Sequence, residues 1–276
     1  MCPYSMMTRK KDTMSMELYK KIVDDAAQIG IKELGLSNYG EPLLDKFLFE
    51  RIEYAKSKGM QVGLTDNGTL LGRNDNVVRL LNSNPDWIEI SIDGVTKQTY
   101  EKIRVGAKFE DLVDGFTKLV TERGKKNGNP AIYISCVVQA ENYDEIRSNK
   151  KRINKIFEGA DYIGFNPMDT RVGDKDKSLP SGIDFRTPAK RIKYNYPCRR
   201  PFNTIIVLVD GSVALCCLDY DGKVRLGDLN VQSIKEVWNT ERYKKIRSLQ
   251  LEGSGRQIEI CKNCNSLRSA NFVWWK

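Results

Sequence analysis

Short apolar segments alternate with amphipathic helical segments over the first 166 residues, and this alternation restricts the fold more than any other feature of the chain. The apolar segments predict strands at residues 32–37, 60–65, 87–92, 131–139 and 162–166. Helical periodicity predicts helices at 16–29, 44–58, 75–81, 109–121 and 144–157. Strands that alternate with helices at this spacing form βαβ units around a parallel sheet, so the sequence predicts an α/β fold.

The chain changes character after this series. Residues 167–197 are polar, have no clear periodicity and are predicted to be a linker or a substrate-facing loop. The C-terminal part is predicted to contain strands at 204–209 and 212–218 and a helix at 233–249. Asp210-Gly211 predicts a tight hairpin turn, because this pair supplies a positive φ. The predicted domains are therefore 1–166 and 198–276, with the linker 167–197 between them.

Composition excludes several classes of function. The chain contains 0 histidines, which excludes His-based triads, His-ligated zinc hydrolases and a histidine general base. Its 7 cysteines and the absence of a visible secretory signal favour a reducing cytoplasm over disulfide formation. No apolar run approaches the roughly 20 residues that cross a bilayer. The net charge of +9 is spread along the chain, which favours a solvated surface over a nucleic-acid patch.

Four cysteines in the last third of the chain have the spacing of metal ligands. They are Cys198, Cys216, Cys261 and Cys264. The last two form a C-x-x-C pair in a short polar segment, where no strand or helix face is predicted to bury them. Four sulfur ligands select zinc or an iron–sulfur cluster. The alternative is a set of buried core cysteines, since free cysteine is often buried.

The other cysteines are assigned from the predicted strands. Cys136 lies in the middle of a strand and is predicted to be a core residue. Cys216 and Cys217 are adjacent on a predicted strand and would therefore point to opposite faces of the sheet, so that only one of them can be a ligand.

Several segments in the first domain occur in the order of a known enzyme family. They are Met1-Cys2-Pro3, Gly40-Glu41-Pro42, Asp66-Asn67-Gly68, Ser91 with Asp93, and Arg104. Together they resemble the radical S-adenosylmethionine (SAM) enzymes. The resemblance implies a partial (β/α)6 barrel, of which this chain lacks the first strand.

The resemblance also implies a catalytic 4Fe–4S cluster. In this family three cysteines in a C-x3-C-x2-C loop hold that cluster, and Cys2 corresponds to the third of them. The other two would precede residue 1. We therefore expect that the sequence begins inside a longer protein and that the chain as given does not cleave SAM.

The SAM-binding residues follow from the same resemblance. They are Gly40, Glu41 and Pro42 at the SAM amino group, Asn67 in the next turn, Ser91 and Asp93 near the ribose, and Arg104 at the carboxylate. Tyr39 stands where the family has a glycine. Gln139 and Asn142 are weaker candidates. For each segment the alternative is an ordinary strand-to-helix turn.

The C-terminal cysteines resemble the SPASM domain, which binds auxiliary iron–sulfur clusters. The matching pattern is Cys198, twelve residues, Gly211, four residues and Cys216, which favours Cys216 over Cys217 as the ligand. A full SPASM domain has further cysteines after the C-x-x-C pair, whereas this chain has none after Cys264. It therefore resembles the shortened "twitch" form, with one auxiliary 4Fe–4S cluster.

The resemblance implies an enzyme that forms a 5′-deoxyadenosyl radical and takes a hydrogen atom from a small-molecule or peptide substrate. We expect a net oxidation, and a reductase of flavodoxin or ferredoxin type as the electron source. Asp169 and Arg171 are candidates for substrate contact. Two alternatives stay open: a peptide-modifying or epimerase member of the family, and a non-catalytic protein with a structural metal held by the four cysteines.

Overall fold

The computed structural model describes residues 2–126, 128–167, 197–262, 264 and 273–275. These residues belong to two compact units. One contains residues 32–167 and 273–275, and the other contains residues 2–31, 197–262 and 264. The predicted linker, including Asp169 and Arg171, lies outside the described residues except for its two ends.

The first unit is built around a mixed sheet. Its strands are β1 (Glu33–Gly35), β2 (Gln61–Asp66), β3 (Trp87–Ile92), β4 (Ala131–Val138), β5 (Tyr162–Pro167) and, last in the chain, β9 (Val273–Trp275). Neighbouring strands from β1 to β5 are parallel, while β9 pairs with β5 in antiparallel orientation. The predicted α/β class and its series of parallel strands are therefore confirmed. The antiparallel strand from the C-terminus was not predicted.

Helices follow the strands, as expected for βαβ units. They are α2 (Leu48–Ser57), α3 (Asn76–Asn82), α4 (Lys97–Ile103), α5 (Phe109–Gly124), α6 (Tyr143–Ser148) and α7 (Lys150–Ile156), while α1 (Met16–Gln28) belongs to the other unit. The prediction of one helix over residues 144–157 is wrong. Asn149 separates α6 from α7, and its side-chain amide donates to the carbonyl of Glu145 at 2.9 Å. Such local side-chain bonds compete with helix continuation.

The sheet is buried on one face. Ile88, Ile90 and Ile92 on β3 are 0 % exposed, and the alternating residues Trp87, Glu89 and Ser91 are half-buried. Helix α5 covers the buried face, because a Cβ on Gly68 would meet Leu112 on α5 at 2.2 Å and Ile90 at 3.3 Å. The half-buried face with Ser91 is thus the opposite face of the sheet.

The second unit contains a small antiparallel sheet and short helices. Its elements after residue 197 are α8 (Arg200–Asn203), β6 (Ile206–Val207), β7 (Ser212–Ala214), β8 (Arg225–Asp228), α9 (Ile234–Trp238) and α10 (Glu241–Leu251), with 3₁₀ turns at Gly255–Gln257 and Glu259–Cys261. The strand order is β6-β7-β8. Gly211 has a φ of 86° in the turn between β6 and β7, which confirms the predicted hairpin.

Two local predictions in this unit are wrong. Strand β7 ends at Ala214, so Cys216 and Cys217 lie beyond it and the argument from alternating strand faces does not apply. The chain forms a turn there, in which the Asp219 carboxylate accepts from the backbone N–H groups of Lys223 and Val224 at 2.8 and 2.9 Å. The helix predicted at 233–249 is divided into α9 and α10, because Thr240 caps α10.

Residues 2–31 are held against C-terminal residues of the same unit. The Asp25 carboxylate accepts from the backbone N–H of Ile234 at 2.5 Å, and the Asp221 carboxylate accepts from that of Thr8 at 2.8 Å. The predicted domains instead assign residues 2–31 to the barrel, so the compact units and the predicted domains divide the chain differently. The predicted boundaries remain a prediction. None of the described helices is long and apolar enough to span a membrane.

Candidate functional site

The predicted SAM-binding residues lie in loops that follow successive parallel strands. Glu41 follows β1, Asn67 follows β2, Asp93 follows β3, and Arg104 follows α4. Carboxyl ends of parallel strands meet at one edge of a sheet, which is where barrel enzymes place their active sites. Gly40 has a φ of 116°, a conformation that side chains with a Cβ rarely adopt, so this loop requires glycine.

Glu41 connects two of these loops. One carboxylate oxygen accepts from the backbone N–H of Leu43 at 3.1 Å and caps the 3₁₀ turn Pro42–Leu44. The other oxygen accepts from the backbone N–H of Asn67, also at 3.1 Å. The carboxylate is therefore fixed between the loop after β1 and the loop after β2.

Asp66 is a buried carboxyl group whose burial was not predicted from the sequence. It is 1 % exposed, and its Oδ1 accepts from the backbone N–H of Gly68 at 2.7 Å. Burial raises the pKa of Asp66 well above its usual range, and the neighbouring Glu41 carboxylate raises it further. Within the described part of the chain Oδ2 has no hydrogen-bond partner. A proton on Asp66 allows this oxygen to donate to Glu41.

The signal for Asp66 is present in the sequence but needs the strand register. Val62, Leu64 and Asp66 alternate along β2, and all three are buried on the same face. A carboxyl group at the end of an apolar alternation is predicted to be buried. The motif Asp66-Asn67-Gly68 predicts a turn and a SAM contact at Asn67, but it does not predict the burial of Asp66.

Asp93 and Arg104 form an ion pair in which the carboxylate is buried and the guanidinium half-buried. The Nε and Nη2 atoms of Arg104 both lie 2.8 Å from Oδ2 of Asp93, which is 1 % exposed. The other carboxylate oxygen, Oδ1, accepts from the backbone N–H of Val137 at 3.1 Å. Both residues are predicted to contact SAM. The contacts show that Asp93 orients the guanidinium of Arg104. The guanidinium has further N–H groups for a ligand carboxylate.

Gln139 and Asn142 are buried at the end of β4. The Asn142 amide donates to the carbonyls of Asp93 at 2.9 Å and Val137 at 2.8 Å, and its oxygen accepts from the backbone N–H of Gln139 at 2.8 Å. Asn142 thus joins the ends of β3 and β4. Ser91 lies beside Ser135 of β4 on the half-buried face of the sheet.

A polar depression opens beside these loops. Its volume is about 280 Å³, and its polar lining includes Asn67, Thr69, Arg73, Arg104, Lys108 and Asp111. The depression therefore adjoins two of the predicted SAM-binding residues. Its basic side chains suit a ligand with a carboxylate or another anionic group.

The four C-terminal cysteines are grouped in the second unit. Burial and the thiols of Cys216, Cys264 and Cys198 raise the pKa of Cys261 to about 12. Burial also raises the pKa of Cys216, and Cys264 adds to the effect. Thiols grouped in this way fit a cation-binding centre, because a metal binds the thiolate form and displaces the protons.

The chemistry of these thiols bears on the kind of metal centre. Four cysteine thiolates are the usual ligand set of a 4Fe–4S cluster, so the donor set fits a cluster. Cys216 is one of the grouped thiols. That Cys216 rather than Cys217 is the cluster ligand remains a prediction.

The other two cysteines differ from this group. Cys136 is 0 % exposed on β4, as predicted for a core residue, and burial raises the pKa of its thiol well above the usual value. Cys2 is exposed, just before the 3₁₀ turn Pro3–Met6. An exposed thiol is accessible to a cluster, and its role as a cluster ligand remains a prediction.

Comparison with protein families identifies both parts of the chain. Residues 1–153 match the model of the radical SAM superfamily. The chain belongs to the radical SAM superfamily. Residues 198–265 match the SPASM model, an iron–sulfur cluster-binding domain, so the cofactors of this radical SAM protein are SAM and 4Fe–4S clusters. The predicted family and cofactors are confirmed.

Two curated relatives show how far the sequence similarity extends. An S-adenosyl-L-methionine-dependent 2-deoxy-scyllo-inosamine dehydrogenase of Niallia circulans is 32 % identical over 75 residues, which cover 27 % of this chain and 30 % of the relative. An AdoMet-dependent heme synthase of Methanosarcina barkeri is 28 % identical over 92 % of this radical SAM chain and 82 % of the relative. The match to the dehydrogenase thus spans less than a third of that protein.

Solved structures confirm the fold. BtrN in complex with AdoMet and 2-DOIA superposes with a TM-score of 0.63 at 19 % identity, and the alignment covers 96 % of this chain and 85 % of BtrN. Streptococcus suis SuiB bound to its precursor peptide SuiA superposes with a TM-score of 0.70 at 13 % identity, and the alignment covers 97 % of this chain and 67 % of SuiB.

Proposed function

We propose that this radical SAM protein oxidises its substrate by two electrons with the help of one auxiliary 4Fe–4S cluster. The observation that carries the proposal is the grouping of Cys198, Cys216, Cys261 and Cys264 in the C-terminal unit. Four thiols are a complete ligand set for one cluster. A fully ligated cluster has no open iron for a ligand, which suits electron transfer.

The bound cofactors supply the difficult chemistry. When bound, SAM and its cluster supply a 5′-deoxyadenosyl radical that removes a hydrogen atom from the substrate, and the auxiliary cluster supplies an acceptor for one electron. The balance of a dehydrogenation then requires that one proton leaves the substrate. With no histidine in the chain, a carboxylate, Lys, Tyr, Arg or water takes that proton. Asp169 and Arg171 remain candidates for this contact.

The protein's own residues bind and orient SAM. In this proposal the Glu41 carboxylate accepts from the SAM ammonium, and it is already oriented by the backbone N–H groups of Leu43 and Asn67. Arg104, oriented by Asp93, donates to the SAM carboxylate. Ser91 lies near the end of β3, and Asp93 follows that strand directly. We place the SAM ribose beside these two residues. A preorganised arrangement of this kind reduces the cost of binding.

The dehydrogenase hypothesis is supported by the identity shared with the inosamine dehydrogenase of Niallia circulans. The alternative is modification of a peptide, since SuiB, whose structure was solved with a precursor peptide, has a similar fold. In either case we propose a flavodoxin or ferredoxin type of reductase as the electron source.

Iron and sulfide analysis after anaerobic purification tests the auxiliary cluster. Cys261→Ala is expected to lose iron, sulfide and visible absorption, whereas Cys136→Ala, which changes a buried core cysteine, is expected to keep them. Iron without sulfide, or bound zinc, would indicate a structural four-cysteine metal site instead. Loss of the cluster from a folded Cys136→Ala variant would overturn the ligand assignment.

Stoichiometry tests the reaction. With the native substrate and a chain that carries all three cysteines of the SAM cluster loop, one SAM consumed per two-electron-oxidised product supports a dehydrogenase. A redox-neutral product such as an epimer rejects it.

A further inference from the structure

Gln250 lies between two of the proposed cluster ligands, and no motif of the sequence drew attention to it. It belongs to the last turn of α10 and is 3 % exposed. Its Oε1 accepts from the backbone N–H of Cys198 at 3.1 Å, and its Nε2 lies 3.9 Å from Sγ of Cys261. A single buried amide thus contacts two cysteines that are distant in the sequence.

The orientation of this amide is determined by its partners. A backbone N–H can only donate, so the atom that faces Cys198 must be the amide oxygen. The amide nitrogen is then directed at the sulfur of Cys261. Because Cys198 selects the orientation, the N–H···S contact does not depend on an arbitrary choice between the two ends of the side chain.

Gly255 leaves the space that the Gln250 amide occupies. A Cβ on Gly255 would lie 2.7 Å from Oε1 and 2.8 Å from Nε2 of Gln250. The 3₁₀ turn Gly255–Gln257 is separated from α10 by residues 252–254, and the backbone N–H of Ser254 donates to the carbonyl of Leu249 at 2.8 Å. The end of α10 and this turn therefore enclose the amide and restrict its rotation.

We infer that Gln250 is a positioning residue for the auxiliary cluster: it fixes Cys198 and Cys261 relative to each other and donates an N–H to the Cys261 sulfur. This inference rests on the proposed cluster. Hydrogen bonds to ligating sulfurs withdraw negative charge and make the reduced cluster easier to form, which raises its reduction potential. Gln250 therefore sets the potential at which the cluster accepts an electron.

Two substitutions separate the roles of the two ends of the amide. Gln250→Glu keeps an oxygen for the Cys198 N–H but replaces the donor with a carboxylate. Gln250→Met is similar in length and removes both contacts. Gln257→Glu is the matched control, because it makes the same chemical change at an exposed residue of the adjacent turn. All are made in a Cys2→Ala background, so that the auxiliary cluster alone is observed.

Each variant is reconstituted anaerobically with ferrous iron and sulfide. Iron and sulfide content is measured, and the reduction potential is determined by a redox titration followed by electron paramagnetic resonance. The expected potential is lowest for Gln250→Glu, intermediate for Gln250→Met, and that of the parent for Gln257→Glu. A folded Gln250→Met chain that loses most of its iron also supports the positioning role.

The inference is overturned if both Gln250 variants keep full iron and sulfide and the parent's potential. If Gln250→Met does not fold, the potential of Gln250→Glu decides, since that variant keeps the contact to Cys198. A parent chain that binds neither iron nor sulfide rejects the proposed cluster and this inference together. A parent with an intact cluster and unaltered variants rejects the role of Gln250 alone.

Discussion

The carboxylate of Glu41 accepts a hydrogen bond from the backbone N–H of Asn67 at 3.1 Å, and so connects the loops that follow β1 and β2. Its second oxygen caps the turn at Pro42–Leu44. A residue that binds a ligand's ammonium group needs both a negative charge and a fixed direction. Here the direction of the carboxylate is set by the backbone N–H groups of Leu43 and Asn67.

Replacing Glu41 should therefore loosen the loops as well as remove a charge. Glu41→Ala leaves the N–H groups of Leu43 and Asn67 without their acceptor, and a lost acceptor of this kind costs about 1–3 kcal/mol. We expect a lower midpoint of thermal unfolding than for the wild type. Glu141→Ala, at an exposed loop position, is the matched control and should leave the midpoint unchanged. Equal midpoints for both variants would contradict the role of Glu41 in the loops.

Asp66 should make stability depend on pH. Its pKa is raised in the folded protein, first by burial and then by Glu41. A carboxyl group with a raised folded pKa stabilises the fold below its unfolded pKa, and that contribution is lost as the pH rises through the folded value. We therefore expect Asp66→Asn, which stays neutral, to gain stability relative to the wild type as the pH rises.

The measurement is thermal unfolding of wild type and Asp66→Asn over a series of pH values from acid to mildly alkaline. Asp75→Asn, at an exposed position before α3, serves as the control and should follow the wild-type profile. Parallel profiles for wild type and Asp66→Asn would contradict a raised pKa of Asp66 in the folded chain relative to the unfolded chain.

The Asp93–Arg104 pair should be more important for stability than the exposed ion pairs. Arg104→Met leaves the buried carboxylate of Asp93 with the backbone N–H of Val137 as its donor among the described residues. Removing one partner of a buried ion pair costs about 3–5 kcal/mol. Lys97→Met breaks the pair with Glu110, in which both side chains are more than half exposed, and should have no measurable effect. Urea titrations of the two variants compare them directly, and similar midpoints would refute the difference.

Cys216 and Cys217 can be separated by single substitutions. Because Cys216 contributes to the grouped thiols, Cys216→Ala should abolish the auxiliary cluster, while Cys217→Ala should keep its iron, sulfide and absorption. The two residues are adjacent and both half-buried, so each variant controls for the other. A cluster that survives in Cys216→Ala and is lost in Cys217→Ala would reverse the assignment.

Sequence patterns predicted the order of the elements well where the structure depends on nearby residues. Apolar runs located β1 to β5, and the Asp210-Gly211 pair located the hairpin turn. The breaks at Asn149 and Thr240 were missed. In both cases a polar side chain that bonds to the nearby backbone ends one helix or starts the next within an otherwise continuous periodic pattern.

The sequence by itself was enough to predict the superfamily, the four C-terminal cysteines as a ligand set, and the loops after the strands as the place of the site residues. These predictions depend on residue type and local spacing. Only the tertiary structure decided the rest. The antiparallel pairing of β9 with β5, the approach of Glu41 to Asp66, and the position of Gln250 between Cys198 and Cys261 join residues far apart in the chain. Burial and long-range packing create these contacts, and no local pattern encodes which distant groups will meet.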